Sequence, residues 1–283
     1  MMKKSDRADS SDGKEGVGLP MQLSIGLIAL VLIGGAIAGI SMFNRDDAAQ
    51  PDDTGSVTTS ASSGEAASGF GPPDVDVFGR RIDVPNNEFG EPLPQVEAQR
   101  RAEDPDWLTA APAGTQERGG WQRVTGAVVP FSTSDGPTAI VDGVPVGWAH
   151  TPQGCALAAA WVIWEVNARP GDRTIRERAL VSTPADLAQF DRDRAAGKIP
   201  DRAPLAATRW MLAFDAFQIK TFSADLCVVG LASRAEDSNN GAARWIGTGV
   251  SMVWDGSAWR LRVPAGGNPP KDSLSSLAGW TPW

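Results

Sequence analysis

An uncharged, mostly apolar stretch runs from Met21 to Phe43 in this chain of 283 residues. It constrains the possible architecture of the chain more than any other feature of the sequence. A helix needs about 20 such residues to cross the hydrocarbon core of a bilayer. Four basic residues precede the stretch, whereas Arg45 is the only basic residue between it and Arg80. Because basic residues favour the cytoplasmic side of a membrane, the pattern predicts a cytoplasmic tail over residues 1–20, a transmembrane helix over residues 21–43 and an extracytoplasmic remainder.

A cleaved signal peptide is the alternative interpretation of the same stretch, because Ala36-Ile37-Ala38 has the pattern of a cleavage site. The long, charged region before the stretch and the apolar residues that continue to Phe43 favour an uncleaved anchor instead. Gly35 and Gly39 have the spacing that lets two membrane helices pack closely, which makes them candidates for helix pairing. Glycines that simply face lipid are the plainer alternative.

Residues 44–120 are acidic, with six basic and fifteen acidic side chains, and they are rich in Pro, Gly and Ser. Such a composition buries too little apolar surface to offset the entropy cost of ordering the chain. We therefore predict a disordered linker over residues 44–120. A second interpretation applies to residues 78–93, whose Phe and Leu side chains are suited to order against a partner.

The residue types that form packed cores are concentrated in residues 121–283. Ten of the eleven tryptophans lie in this region. Its sixteen basic and fifteen acidic side chains nearly balance, so it lacks the positive bias of nucleic-acid-binding domains. We expect an extracytoplasmic domain over residues 121–283 and no direct nucleic-acid partner.

The order of patterns within residues 121–283 predicts the fold class. Short extended segments come first, and Thr151-Pro152 is then suited to cap and start a helix. A further helix is expected to begin at Thr183-Pro184. From Phe214 to Val263 the apolar pattern and the intervening turns indicate antiparallel strands. This order predicts an α+β domain with helices packed on one face of a curved antiparallel sheet.

Several phrases in the chain resemble a family of actinobacterial membrane-anchored proteins found on conjugative and integrative elements. They are Val129-Pro130-Phe131-Ser132, Gly147-Trp148-Ala149-His150-Thr151-Pro152, Trp254-Asp255-Gly256-Ser257-Ala258-Trp259 and, in the linker, Phe78-Gly79-Arg80-Arg81-Ile82. The resemblance implies a nuclear-transport-factor-2-like domain outside the membrane. It also implies an architecture similar to the bitopic assembly factors of type IV secretion systems.

The chain has two cysteines, Cys155 and Cys227. On the predicted topology both lie outside the cytoplasm, where a disulfide is able to persist. Two separately buried thiols are the alternative, because free cysteine often packs as a small apolar residue.

The sequence offers little for catalysis. His150 is the only histidine. A Ser-His-Asp triad would require it, with Asp142 as a partner, but its position just before a helix start favours a structural hydrogen bond. A zinc site needs three or four spaced ligands, which one His and two Cys do not supply. We therefore predict no catalytic residue, no metal site and no cofactor.

A pocket between the sheet and the first helix is expected from the resemblance. Its candidate lining consists of five aromatic residues: Trp161, Trp164, Trp210, Phe214 and Phe217. The alternative is that these side chains fill the core. Asp215 and Glu165 are candidate polar groups in such a pocket, unless each is paired with an arginine or faces solvent.

These features together predict a non-enzymatic, single-pass scaffold or assembly protein of the cell membrane. Its extracytoplasmic domain would bind other membrane or secretion-apparatus proteins in a conjugative transfer or secretion apparatus, and a second copy of the chain is a further candidate partner. The alternative is a small-ligand-binding module or an enzyme of the cell envelope that uses the pocket of the same fold.

Overall fold

The computed structural model describes residues 68–235 and 244–283. Residues 68–120, which we call the N-terminal strap, hold the short strands β1 (Asp74–Val75) and β2 (Arg81–Ile82). Two hairpins follow, β3 (Trp121–Val124) with β4 (Ala127–Pro130) and β5 (Ala139–Val141) with β6 (Val144–Val146). Asp142 and Gly143 turn the second hairpin with positive φ angles, a conformation that Asp and Gly adopt most readily in two-residue turns.

Helix α1 (Pro152–Ala168) is the centre of the fold. The side-chain oxygen of Thr151 caps its start by accepting a hydrogen bond from the N–H of Gly154 at 3.0 Å, and Pro152 occupies the first helical position. The helix is apolar around most of its circumference, which is typical of a helix buried on all sides. It packs between the β3–β4 hairpin and the main sheet.

Three shorter helices follow: α2 (Arg173–Arg178), α3 (Pro184–Ala195) and α4 (Leu205–Thr208). Asp172 caps α2, and Thr183 caps α3 in a capping box with Asp186. Proline and glycine keep these helices short. Pro170 and Gly171 follow α1, and Gly197 follows α3 with a positive φ angle, which favours the end of a helix.

The main sheet is antiparallel and contains six strands. They are β7 (Ala216–Phe222), β8 (Leu226–Ala235), β9 (Arg244–Trp254), β10 (Trp259–Leu261), β11 (Lys271–Leu274) and β12 (Thr281–Pro282). The strand order is β10-β9-β8-β7-β12, and β11 pairs with β9 beside β10. Residues 262–270 connect β10 to β11 along the same edge of β9.

The two faces of the main sheet are covered differently. On the inner face, Val229 and Leu231 are fully buried in the core that includes α1. On the outer face, Gly230 and Gly247 make room for the Trp280 ring. A Cβ on Gly230 would lie 2.8 Å from Cη2 of Trp280, so a side chain there would displace the ring. The absence of side chains at these positions thus lets the C-terminal segment cross the sheet closely.

The N-terminal strap is packed into the body. Ile82 is buried in the main core, and the N–H of Asp83 donates a hydrogen bond to the carbonyl of Trp121 at 2.9 Å. Gln122 exchanges two hydrogen bonds of 2.7 Å with the backbone of Glu91. The Gln153 side chain of α1 donates to the carbonyl of Trp107 at 2.9 Å. The strap is therefore an integral part of the folded unit.

The predicted fold class is wrong. The described residues form four sheets with twelve strands and only four helices, so the molecule is mainly sheet and not a nuclear-transport-factor-2-like layer of helices on one sheet. Proline and glycine limit the helices after α1, and the strap contributes strands where none are expected. The disordered linker is likewise wrong for residues 68–120, since their apolar and amide side chains find partners far along the chain. Residues 44–67 lie outside the described residues.

The membrane-related predictions concern residues 1–43, which precede the described part of the chain. No helix within residues 68–235 and 244–283 combines the length and apolar composition that crossing a bilayer requires. The predicted tail over residues 1–20, the transmembrane helix over residues 21–43 and the helix-pairing residues Gly35 and Gly39 lie outside the described residues.

Candidate functional site

A groove of about 400 Å³ opens where residues 262–270 leave the edge of the main sheet. The N–H of Arg262 donates a hydrogen bond to the carbonyl of Ser251 at 2.9 Å, and the N–H of Gly249 donates to the carbonyl of Pro270 at 2.9 Å. Between these two bonds the loop stands away from β9. Helices α1 and α2 and residues 198–200 form the opposite wall. We call this the loop groove.

The walls of the loop groove are largely apolar. They include Ile163, Val166, Leu180, Val250, Leu261 and Val263, with prolines from both the loop and the opposite wall. A concave, apolar site of a few hundred Å³ is typical of small-ligand sites, which range from about 300 to 1,000 Å³. The groove is therefore a candidate small-ligand site.

The charged side chains that line the loop groove are all positive. Arg176, Lys198, Lys220 and Arg262 line it, and none of its lining residues within the described ranges is Asp or Glu. Lys198 already forms an ion pair with Asp193, with Nζ 2.9 Å from Oδ1. Lys220 and Arg262 are exposed, and neither side chain forms an ion pair with a described residue.

Arg176 is the most constrained of these cations. Helix α2 holds it with its guanidinium 4.3 Å from the centre of the Phe190 ring, and its Nη2 donates to the carbonyl of Pro170 at 3.3 Å. Its Nε is buried and has no hydrogen-bond partner among the described residues. Burial lowers the pKa of the Arg176 guanidinium from its usual value, although an arginine stays charged at neutral pH.

The five aromatic residues predicted to line a pocket do not line this groove. Trp161 and Phe217 are fully buried in the core. Trp164 stacks on Phe214 with ring centroids 4.9 Å apart, and its Nε1 donates to the carbonyl of Leu212 at 2.9 Å. Trp210 is about a third exposed and is not part of the buried core. These side chains mainly fill the core, which was the alternative to a pocket.

Asp215 lies at the junction of the strap and the main sheet. Its Oδ1 accepts from Nη1 of Arg80 at 2.6 Å, and its Oδ2 accepts from Nε of Arg234 at 3.0 Å and Nε1 of Trp245 at 2.5 Å. The two guanidinium groups also lie 5.4 and 5.1 Å from the centre of the Phe78 ring. Asp215 borders a second cavity of about 420 Å³, where acidic and basic residues occur together. Its contacts serve to attach the strap.

Glu165 is fully buried in α1 and paired. Its Oε2 lies 2.7 Å from Nε of Arg169, and the Thr125 hydroxyl donates to the same carboxylate at 2.9 Å. Burial raises the pKa of Glu165, while the neighbouring Arg169 acts in the opposite direction. The hydrogen bond from Thr125 joins α1 to the β3–β4 turn, and neither Glu165 nor Arg169 lines the loop groove.

His150 has a structural setting. Its Nε2 lies 2.7 Å from the carbonyl oxygen of Ala224, and its ring stacks on Trp254 with centroids 4.2 Å apart. Asp142, the acid considered for a triad, instead forms an ion pair with Arg178 at 2.6 Å. The structure does not bring His150 and Asp142 together. Within the described ranges, no three His, Cys, Asp or Glu side chains are grouped in a way that suits a metal ion.

Cys155 and Cys227 form a disulfide between α1 and β8, with their Cα atoms 6.7 Å apart. Both residues are fully buried. The bond ties the central helix to the middle of the main sheet.

Asp135 belongs to a buried polar cluster that sequence reasoning missed. Its two oxygens accept from the hydroxyls of Ser134 and Thr151, each at 2.5 Å. Burial raises the pKa of Asp135, and these hydroxyl hydrogen bonds partly offset the effect. The cluster links the turn after β4 to the start of α1. The only sequence signal for it is the polar run Ser132-Thr133-Ser134-Asp135 beside an apolar strand.

The comparisons with known proteins give a family but no function. No curated protein and no solved structure matches the chain. A family model described as a domain of unknown function (DUF8175) matches residues 83–282. The matched range includes more than half of the chain and contains much of the strap, α1, the main sheet and the whole lining of the loop groove. The chain therefore belongs to the DUF8175 family.

Proposed function

We propose that this chain is a membrane-anchored, non-enzymatic assembly protein whose body lies outside the cytoplasmic membrane. The observation that carries the proposal is the buried Cys155–Cys227 disulfide, because disulfides persist in oxidising compartments and are rare in the cytosol. The apolar residues 21–43 and the basic residues before them agree with this topology. The resemblance to proteins of conjugative and integrative elements suggests a conjugative transfer or secretion apparatus as the setting.

The polar groups of the structure also favour this function. His150, which was considered for a triad, and Glu165 and Asp215, which were considered as polar groups of a pocket, each make structural contacts. A protein that acts by contact with other membrane proteins, or with a second copy of itself, does not need a free catalytic group.

Topology is tested with single cysteines that a membrane-impermeant maleimide can reach. Ala196→Cys places a thiol on an exposed position after α3, and Ser10→Cys places one in the predicted cytoplasmic tail. We expect intact protoplasts to be labelled at Ala196→Cys, and Ser10→Cys to be labelled only after lysis. The reverse pattern would contradict the proposed topology.

The assembly role is tested by deleting the gene from its mobile element and measuring transfer frequency. We expect transfer to fall to background and to be restored by the full chain but not by a chain that ends at residue 67. Covalent cross-linking before purification should also recover a fixed set of membrane proteins with the full chain only. Unchanged transfer after deletion would contradict this role.

A ligand-binding module of the cell envelope is a second candidate function, favoured by the loop groove. Two of the cations that line it, Lys220 and Arg262, form no ion pair with a described residue, so their charges have no evident task in holding the fold. The two functions are compatible, because a bound small molecule can regulate an assembly protein. Loss of transfer in a variant with an altered groove, with topology and partners unchanged, would support the second candidate.

A further inference from the structure

The loop groove combines two chemical features that together define a class of ligand. Its walls are mostly aliphatic side chains and prolines, with Asn167 and Ser251 as uncharged polar residues, and they favour a largely apolar segment. Four cationic side chains border these walls, and no carboxylate among the described lining residues balances them. An apolar molecule with an anionic end matches both features.

We propose that the loop groove binds an amphipathic anion with a single acyl chain, such as a fatty acid or a lysophospholipid. The acyl chain would lie between α1 and β9, against residues such as Val166 and Val250. The anionic head would lie towards Lys220 and Arg262. This inference rests on the second candidate function and names the ligand class for its site.

The arrangement of the cations supports this orientation. Lys198 is paired with Asp193, and Arg176 is held against Phe190 with one N–H unpaired and buried. Lys220 and Arg262 are exposed and make no ion pair with any described residue, so their charges are available to a ligand. A buried N–H of an arginine without a partner is costly, and an anionic or carbonyl oxygen of the ligand would satisfy it.

The size of the groove argues for one acyl chain. At about 400 Å³ it lies near the lower end of small-ligand sites, whereas a two-chain lipid needs considerably more space. A folded protein partner would instead require a broad surface of about 800 Å² per partner. A polypeptide is therefore a less favoured occupant of the groove than a single acyl chain. Photo-cross-linking distinguishes the two occupants.

The test uses the full chain in membrane vesicles and a photoactivatable, alkyne-tagged palmitate. A matched probe carries a neutral amide in place of the carboxylate. We expect the palmitate probe to label peptides of the groove saturably and several-fold more strongly than the amide. Equal labelling by the two probes, or labelling confined to residues 21–43, would overturn the proposal. A cross-link to another polypeptide that excludes the probe would likewise overturn it.

Two double variants distinguish the loss of cations at the groove from the loss of positive charge elsewhere on the surface. The double variant Lys220→Gln, Arg262→Gln removes the two unpaired cations, and we expect palmitate labelling to fall about tenfold, since each charge near an anion in water contributes a few-fold. The matched control Arg101→Gln, Arg192→Gln removes two exposed cations elsewhere and should label as the unchanged protein does. Equal labelling of the two variants would overturn the proposal.

A third variant tests the apolar walls. Val166→Trp places a large ring into the groove from α1 and should abolish labelling by both probes. Resistance to limited proteolysis equal to that of the unchanged protein shows that the variant is folded. Labelling that persists in the folded variant would overturn the proposal. The maleimide test measures membrane topology and does not depend on ligand binding. Failure of the ligand inference can therefore be distinguished from failure of the membrane-anchored function.

Discussion

Aspartate side chains organise several of the turns and junctions in this molecule. Asp215 attaches the N-terminal strap through Arg80, Asp83 joins two parts of the strap by accepting from the N–H of Gly119, and Asp172 caps α2. Asp255 holds the turn between β9 and β10, where its Oδ1 accepts from the N–H groups of Ser257 and Ala258 at 2.9 and 2.8 Å. Each of these carboxylates accepts hydrogen bonds from backbone or guanidinium donors and thereby fixes the local conformation of the chain.

The Asp255 turn gives a prediction for pH dependence. Partial burial raises the pKa of Asp255, but hydrogen bonds from the backbone of Ser257 and Ala258, and the contact with Arg260, together lower it to about 2 from the ordinary 3.8. A lowered folded pKa stabilises the protein above the ordinary value, and this contribution is lost as the pH falls through the folded value. We expect Asp255→Ala to lower the free energy of unfolding by about 1–2 kcal/mol at pH 7.

Urea unfolding at several pH values checks this expectation. The difference between the unchanged protein and Asp255→Ala should be constant above about pH 5 and should shrink from about pH 4 towards pH 2. Asp255→Asn is the matched control, because it keeps an acceptor oxygen for the turn and loses only the charge. A difference that grows on acidification would contradict the assigned role.

At the scale of elements, local signals are enough to predict α1 and the hairpin turns. Thr151 and Pro152 start α1 through contacts within its first turn, and Asp142 and Gly143 form a hairpin turn by their own backbone conformation. Predicting these features needs no knowledge of distant contacts. The strap is different. In the strap, Ile82 is buried in the main core and Glu91 bonds to Gln122. These partners lie far along the chain, so composition alone suggests a disordered linker.

The outer face of the main sheet gives a prediction about packing. Gly230→Val would place side-chain atoms where the Trp280 ring lies, since even a Cβ would be 2.8 Å from Cη2 of that ring. We expect a loss of about 1–3 kcal/mol in the free energy of unfolding and faster chymotryptic cleavage at Trp280. In Trp280→Ala the same glycine substitution should cost less, because the clash is gone.

A control for this prediction is Gly71→Ala, since a Cβ at Gly71 meets only ordinary contacts at 3.8 Å or more. It should change stability little. If Gly230→Val leaves both stability and cleavage unchanged, the packing of Trp280 on this face is not as described.

The disulfide between α1 and β8 gives a second prediction at this scale. Cys155 and Cys227 are separated by 72 positions, and closing a loop of that length in the unfolded chain is worth about 4 kcal/mol in the chain-entropy account. We expect the double variant Cys155→Ser, Cys227→Ser to lose about 2–4 kcal/mol in urea unfolding. Reductant should destabilise the unchanged protein but not the variant; a loss below about 1 kcal/mol would contradict the expectation.

At the scale of the whole molecule, the strap, the central helix and the main sheet form one folded unit. The boundary expected at residue 121 separates side chains that share a core, such as Ile82 and Trp121. The loop groove is also a property of the whole molecule. Its walls come from α1, α2, β9 and residues 262–270, which no local pattern brings together, so the sequence could suggest its residue types but not its location.

Truncated chains test whether the strap and the rest of the body form one folded unit. A chain starting at residue 121 lacks the backbone partner of Gln122 and the side chain of Ile82, whose burial alone contributes about 2 kcal/mol. We expect it to lose cooperative unfolding, whereas a chain starting at residue 68 should unfold in one transition. Near-ultraviolet circular dichroism during urea unfolding measures both. Equal transition midpoints would show that the strap is dispensable.

The packing of Trp283 on Trp121, with ring centroids 5.5 Å apart, has a consequence for how the body is made. During synthesis the β3–β4 hairpin emerges long before the C-terminal residues that cover it. Until Trp283 arrives, one side of that hairpin exposes an indole to solvent and to other emerging chains. Because such distant contacts form slowly, the partly synthesised chain is the stage most prone to aggregation and the stage at which a chaperone would act.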